Sequence, residues 1–169
     1  KYMSGKSGDQ KRPVHIPVLL REVMEQLDLS PGLVVVDGTV GAGGHSQHIL
    51  KQIGTTGTLI GLDRDEMMLG FAREKLGAET LPDGQCFLRQ ASYAELPAVL
   101  EELKLPSVDR VLLDLGLSSD QLSDETRGFG FETPGDLDLR FDTRQGIPAW
   151  QLLETLSEAE LVEIMEVYG

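Results

Sequence analysis

The stretch VVVDGTVGAGGHSQHIL, Val34 to Leu50, most constrains what this chain can fold into. An aliphatic run ends in an acid, small residues follow, and an amphipathic stretch begins. A buried strand that turns sharply into a helix has this form, and the turn leaves a hollow for a ligand. The pattern then repeats. LVVVD (33–37), TLIGLD (58–63), CFLRQ (86–90) and VDRVLLDLG (108–116) read as strands. Gly43 to Ile53, Asp65 to Leu76 and Pro97 to Leu103 read as the intervening helices, the first two stopped by Gly54 and Gly77. Apolar strands alternating with helices predict βαβ units, an α/β fold with a parallel sheet and helices on both faces. A helix entered at Pro17 precedes them, with Val18, Leu19, Leu20, Val23, Met24 and Leu27 on one face before Ser30-Pro31-Gly32 ends it.

After Asp114 the alternation stops. Residues 116–147 read as loop, and two helices follow at about Ala149–Leu156 and Glu158–Tyr168. Ser157 with Glu160 three residues on forms a capping box for the second. The domains expected are a tail over 1–13, the N-terminal half of a ligand-binding core over 14–128, and loop plus first helices of a helical domain over 129–169. A half-sheet ending here would leave an open edge, so the chain is expected to be the front part of a longer protein.

Ligands of such sheets lie beyond the carboxyl ends of the strands, here Asp37, Asp63, the Gln90–Tyr93 turn and Asp114. A dinucleotide loop would need G-x-G-x-x-G; Gly41 and Gly43 supply two glycines, but Ser46 stands third. Asp37 at the lip of the hollow would repel a pyrophosphate and suit an ammonium group. S-adenosylmethionine carries an ammonium, a sulfonium and no phosphate. Asp63, about 20 residues after the loop, is placed to accept hydrogen bonds from a ribose diol. His45 and His48 lie three apart, but no third ligand stands nearby, so no metal site is expected. Tyr93 suits either core packing or an apolar wall for adenine.

The whole chain sets outer bounds. With 169 residues, 40% hydrophobic, and 19 glycines, it suits a folded α/β domain rather than a disordered one. No apolar run approaches a membrane span. One cysteine, Cys86 in an apolar strand, suits a reduced thiol and a reducing compartment. Net charge is -13, with 28 acids against 15 bases, awkward for gripping phosphates. Residues 1–12 carry four bases and one acid, whereas 145–169 carry five acids and no base. Any RNA contact would draw its basic surface from elsewhere. Arg127, Phe129, Phe131, Arg140 and Arg144 in the long loop could grip phosphates and stack an unpaired base, or could pack the loop onto the domain.

Together these residues resemble one family. His15 to Leu20 (HIPVLL), Asp37-Gly38-Thr39 with GAGGHS (41–46), Leu62-Asp63-Arg64-Asp65, LLDLGLSS (112–119), Gln121-Leu122, Arg127-Gly128-Phe129, Leu137-Asp138, Arg140 and Asp142 look like the ribosomal RNA small subunit methyltransferase H family. The likeness spans residues 15 to 169. It implies a Rossmann-like class I S-adenosyl-L-methionine-dependent methyltransferase core with parallel strands, plus the start of an inserted helical domain. The implied activity is methyl transfer to the exocyclic N4 amine of a cytidine in small-subunit rRNA, free or within the assembled small ribosomal subunit, in the cytoplasm. Carried over by position, the cofactor site would comprise Gly43, Gly44, His45, Asp63, Tyr93, Asp114 and Gln121, beside Asp37 from the charge argument. Asp114 is also the expected catalytic acceptor for the amine. The family usually has Phe where Tyr93 stands, reads SSPQL where this chain has SSDQL, and reads DGPLDMRMD where this chain has PGDLDLRFD. A non-catalytic rRNA-binding or assembly factor and, less favoured, a dinucleotide-dependent oxidoreductase are the competing readings.

Overall fold

The computed structural model describes residues 17–132 and 135–169. The tail over 1–13, the start of the HIPVLL motif at His15 and Ile16, and Pro134 lie outside the described residues. Four parallel strands, β1 (Val34–Asp37), β2 (Thr58–Asp63), β3 (Cys86–Gln90) and β4 (Arg110–Leu112), form one sheet in the order β3-β2-β1-β4. In register, Val35 faces Leu59, Asp63 faces Gln90, and Asp37 faces Leu112.

Alternate residues along each strand point to opposite faces. Val35 and Leu59 therefore join one apolar layer with Ile49, Leu50 and Ile53 of α2 (Gly44–Ile53) and Leu69, Ala72 and Leu76 of α3 (Glu66–Leu76). Leu27 of α1 (Leu20–Leu27) closes that layer. Val36, Ile60 and Leu62 join the opposite layer with Val99 of α4 (Leu96–Glu102). Helices on both faces are what two-sided apolar strands require.

Three boundaries differ from expectation. Helix α1 begins at Leu20, not Pro17. Leu19 adopts φ 51, which breaks helical continuation, and Pro17 lies so close to Gly44 that a Cβ there would meet its Cγ at 2.7 Å. Strand β4 covers 110–112 rather than 108–116 because the chain after Leu112 has no further strand to pair with among the described residues. The expected loop contains a short helix, α5 (Ser119–Leu122). Beyond it, α6 (Ala149–Thr155) and α7 (Glu158–Tyr168) form as expected, α7 with its Ser157–Glu160 capping box. Among the described residues no helix is long and apolar enough to cross a membrane.

Candidate cofactor and substrate site

The strand order reverses between β1 and β4, and in such sheets the crevice at the reversal takes the ligand. Its walls are knit together directly. The Gly38 N–H donates to the Leu112 carbonyl (2.9 Å), and the Asp114 N–H donates to Thr39 Oγ1 (2.7 Å). Gly38 packs closely here: a Cβ would meet Leu113 Cδ2 at 2.6 Å and Tyr93 Cβ at 3.1 Å, so a larger residue would need the Leu113 side chain to move. Tyr93 is exposed beside Gly38 and is not a core residue.

The loop from Asp37 to Ser46 is held by side chains from both ends. Asp37 does not stand at an open lip: it is 1% exposed, and its carboxylate accepts from Ser46 Oγ (2.6 Å) and the Thr39 N–H (3.3 Å). Burial pushes its pKa up to about 6, against the lowering effect of those two bonds. The third loop position, Ser instead of glycine, is thus an anchor for Asp37. Gly41 and Gly43 have φ 52 and 79, the left-handed turn that lets the chain enter α2.

Asp63 is half-buried at the end of β2. Its Oδ2 accepts from the Gly41 N–H (2.9 Å) and its Oδ1 from the Asp65 N–H (2.9 Å). Burial raises its pKa against those bonds. Each carboxylate oxygen has a second lone pair, so the geometry leaves acceptor capacity for a diol.

His45 is buried at the start of α2, with Nε2 3.1 Å from the Val18 carbonyl and Nδ1 3.8 Å from Asp114 Oδ2. A carbonyl only accepts, so Nε2 carries the proton; in the neutral ring Nδ1 is then a bare acceptor. Asp114 itself is exposed. His45 Nδ1 and the Asp114 carboxylate thus face one another across one gap at the mouth of the crevice.

Gln121 lies elsewhere in the hydrogen-bond pattern. It is buried, its Oε1 accepts from the Ser118 N–H (3.0 Å), and its Nε2 donates to Asp65 Oδ2 (3.0 Å). The sequence reading overlooked Asp65 and Asp124. Asp65 caps α3 through the Met67 N–H and pairs with Arg127 Nη1 at 2.6 Å; Asp124 Oδ2 pairs with Arg127 Nε at 2.7 Å. The signals were present as an acid just before an apolar helix and the S-x-x-Q box Ser118–Gln121. The loop arginines all have internal partners: Arg127 with Asp65 and Asp124, Arg140 with Asp138, Arg144 with Asp142. Phe129 packs on Phe141 at 5.2 Å between centroids, whereas Phe131 is fully exposed.

Comparison with known proteins follows the same direction. A family model described as the MraW methylase family matches residues 12–169. The chain is 41% identical over 162 residues to a ribosomal RNA small subunit methyltransferase H of Dictyoglomus thermophilum, covering 95% of this chain and 54% of that protein. It is 45% identical over 156 residues to the protein of that name from Trichlorobacter lovleyi, covering 92% and 49%. The chain spans about half the length of the curated relatives it matches. Among solved structures it is similar to TrmN from Thermus thermophilus, at 29% identity and TM-score 0.49, over 60% of this chain and 29% of that one.

Proposed function

The chain belongs to the MraW methylase family, and from that premise we propose that it carries the cofactor half of an S-adenosyl-L-methionine-dependent methyltransferase acting on the N4 amine of a cytidine in small-subunit rRNA. The observation that carries this reading is the exposed Asp114 carboxylate facing His45 Nδ1 at the crevice between β1 and β4.

The residues present fit the cofactor. Asp63 keeps acceptor capacity for the ribose hydroxyls, Tyr93 and Leu113 offer an apolar wall beside Gly38, and Gly43, Gly44 and His45 line the turn into α2. Asp37 serves at one remove, by holding the loop through Ser46, and Gln121 by holding Asp65. S-adenosylmethionine, when bound, supplies an electrophilic methyl group on its sulfonium.

The chemistry left to the chain is activation of a poor nucleophile. The lone pair of a cytidine exocyclic amine is delocalised into the ring. Asp114, accepting one N–H bond, would favour a more tetrahedral and more nucleophilic nitrogen, and would take up the proton that nitrogen loses on methylation. The Thr39 hydroxyl fixes the Asp114 backbone, so the carboxylate is aimed by the same loop that holds the cofactor. The target must be unpaired to enter the crevice. Phe131, exposed and aromatic, is a stacking surface for a neighbouring base.

The test is methyl transfer by the complete protein. It is incubated with labelled S-adenosylmethionine and small ribosomal subunits lacking the modification, and the RNA is digested to nucleosides. N4-methylcytidine is the expected product; silence would favour an assembly factor. Asp114→Asn is expected to lower turnover at least 100-fold with cofactor affinity kept within about threefold, the size of a lost acid–base or electrostatic contact. Loss of cofactor affinity instead would make Asp114 a cofactor ligand and sink its catalytic role.

A further inference from the structure

A hydrogen-bonded path runs from the glycine turn to the segment after the sheet. Gly41 donates to Asp63, Asp63 accepts also from the Asp65 N–H, and the Asp65 side chain accepts from both Arg127 Nη1 and Gln121 Nε2. Both ends of the Asp65–Arg127 pair are buried, at 3% and 7% exposed. Arg127 is also the root of the following segment. Its Nε pairs with Asp124, its carbonyl accepts from the Leu139 N–H (2.9 Å), and its guanidinium lies 5.4 Å from the centroid of the Phe129 ring.

Stability does not account for this arrangement. A buried ion pair is often no better than apolar residues of the same volume, because desolvation offsets the attraction. Arg127 Nη2 is buried too, without a partner among the described residues. What the pair does supply is register. A guanidinium with two fixed carboxylates favours one docked arrangement of residues 118–132 and 135–147 on the end of β2. That arrangement reaches the Asp63 side chain through Asp65, while Gln90, bonded to Asp142 and to the Arg64 carbonyl, ties the same segment to β3.

We propose that Arg127 is a positioning residue that couples occupancy of the Asp63 site to the docking of residues 118–132 and 135–147. A ligand that engages Asp63 favours the backbone geometry in which Asp65 receives Arg127. By reciprocity, a docked segment favours the ligand. The cofactor-loaded site thus presents a formed segment, with Phe131 on it, to the RNA. This rests on the reading of Asp63 as a cofactor acid.

The experiment uses the complete protein and S-adenosylmethionine. Affinity is measured by calorimetry, and trypsin cleavage after Arg144 is followed with and without the cofactor. Arg127→Met is expected to weaken cofactor binding about 10-fold, within the usual range of coupling between sites, and to abolish cofactor-dependent protection of Arg144. Arg127→Lys is expected to recover part of both. The paired variant Arg127→Met with Asp65→Asn removes both charges of the buried pair and leaves Asp124 its bonds to Thr126, which guards against simple loss of fold, and is expected to lack the protection as well. Arg140→Met breaks an ion pair in the same segment but off the path, and is expected to leave affinity and protection unchanged. Equal effects of Arg127→Met and Arg140→Met would overturn the coupling, as would a wild-type protein that binds the cofactor without protecting Arg144. A wild-type protein that binds no cofactor would overturn the reading of the site, and the coupling with it.

Discussion

The sheet and the segment after it are held together by different forces. From Val34 to Leu112 the fully buried side chains are apolar apart from the hydrogen-bonded pair Asp37 and Ser46: Val35, Ile49, Ile53, Leu59, Ile60, Leu62 and Leu69 are at most 1% exposed. After Leu112, no apolar side chain among the described residues is buried, and the three that are buried are Gln121, Arg127 and Asp142. Burial of apolar area is non-directional and rewards any close-packed arrangement. Caps and forked ion pairs reward one arrangement each. The difference teaches that the first region is built for stability and the second for a specified geometry over the carboxyl ends of the strands.

The largest effect that would break this contrast is a truncation in the first region. Ile49→Ala, in a fully buried site under the sheet, is expected to cost 2–5 kcal/mol in a denaturant melt, on the order seen for large-to-small core changes. A cost below about 1 kcal/mol would mean that the apolar layer is not what holds this half together.

Asp37 is the exception inside the first region, and its pH dependence sharpens the point. Burial raises its pKa from 3.8 to about 6, so the folded state binds this proton more tightly than the unfolded chain does. The contribution is fully present below about pH 4 and is lost as pH rises through 6, on the order of 3 kcal/mol. Asp37→Asn removes the titration. Relative to wild type, the variant is expected to gain stability from pH 4 to pH 7. The slope is diagnostic rather than the offset, because an amide in place of the carboxylate can keep the Thr39 N–H bond only by making Ser46 Oγ accept instead of donate. A flat difference across that range would mean the carboxylate is not desolvated.

In the second region the corresponding probe is a cap. Ser118 accepts from the Gln121 N–H (3.1 Å) while Gln121 returns a bond to the Ser118 N–H. Ser118→Ala is expected to cost about 1 kcal/mol. It should also loosen Gln121 from Asp65, which a nuclear magnetic resonance shift of the Gln121 side-chain amide would report.

This contrast also explains what could be read from the sequence. Continuous apolar runs in LVVVD and TLIGLD, with Gly54 and Gly77 as helix stops, report burial and chain reversal, and those are local properties. The strands, α2, α3, α6 and α7 were legible for that reason, as were the acids ending β1 and β2. Partners distant in sequence were not. Nothing local to Asp65 shows that Arg127, 62 positions on, completes it, or that Ser46 closes over Asp37. The start of α1 was misplaced because Leu19, a residue with no sequence reason to take a positive φ, does so next to Gly44 and Pro17. The loop arginines left two readings open in the sequence, a phosphate grip or packing of the loop, and composition could not show that each has an acid as its partner.

The smallest expected effect tests the contrast from the other side. Helix α7 leaves Val162, Met165, Val167 and Tyr168 exposed, and Met165 is 63% exposed. In this 169-residue chain Met165→Ser is therefore expected to change stability by no more than about 0.5 kcal/mol, as for surface substitutions away from caps and buried partners. The same substitution in the complete protein reads what lies over the helix there. If the chain alone loses more than about 1 kcal/mol, α7 has packing partners of its own, and the second region is a small apolar core rather than a set of polar pins. If the loss is near zero in the chain and several-fold larger in the complete protein, the apolar face of α7 is a surface that the rest of the protein covers. The polar pins around Arg127 would then be what holds the segment on the end of the sheet.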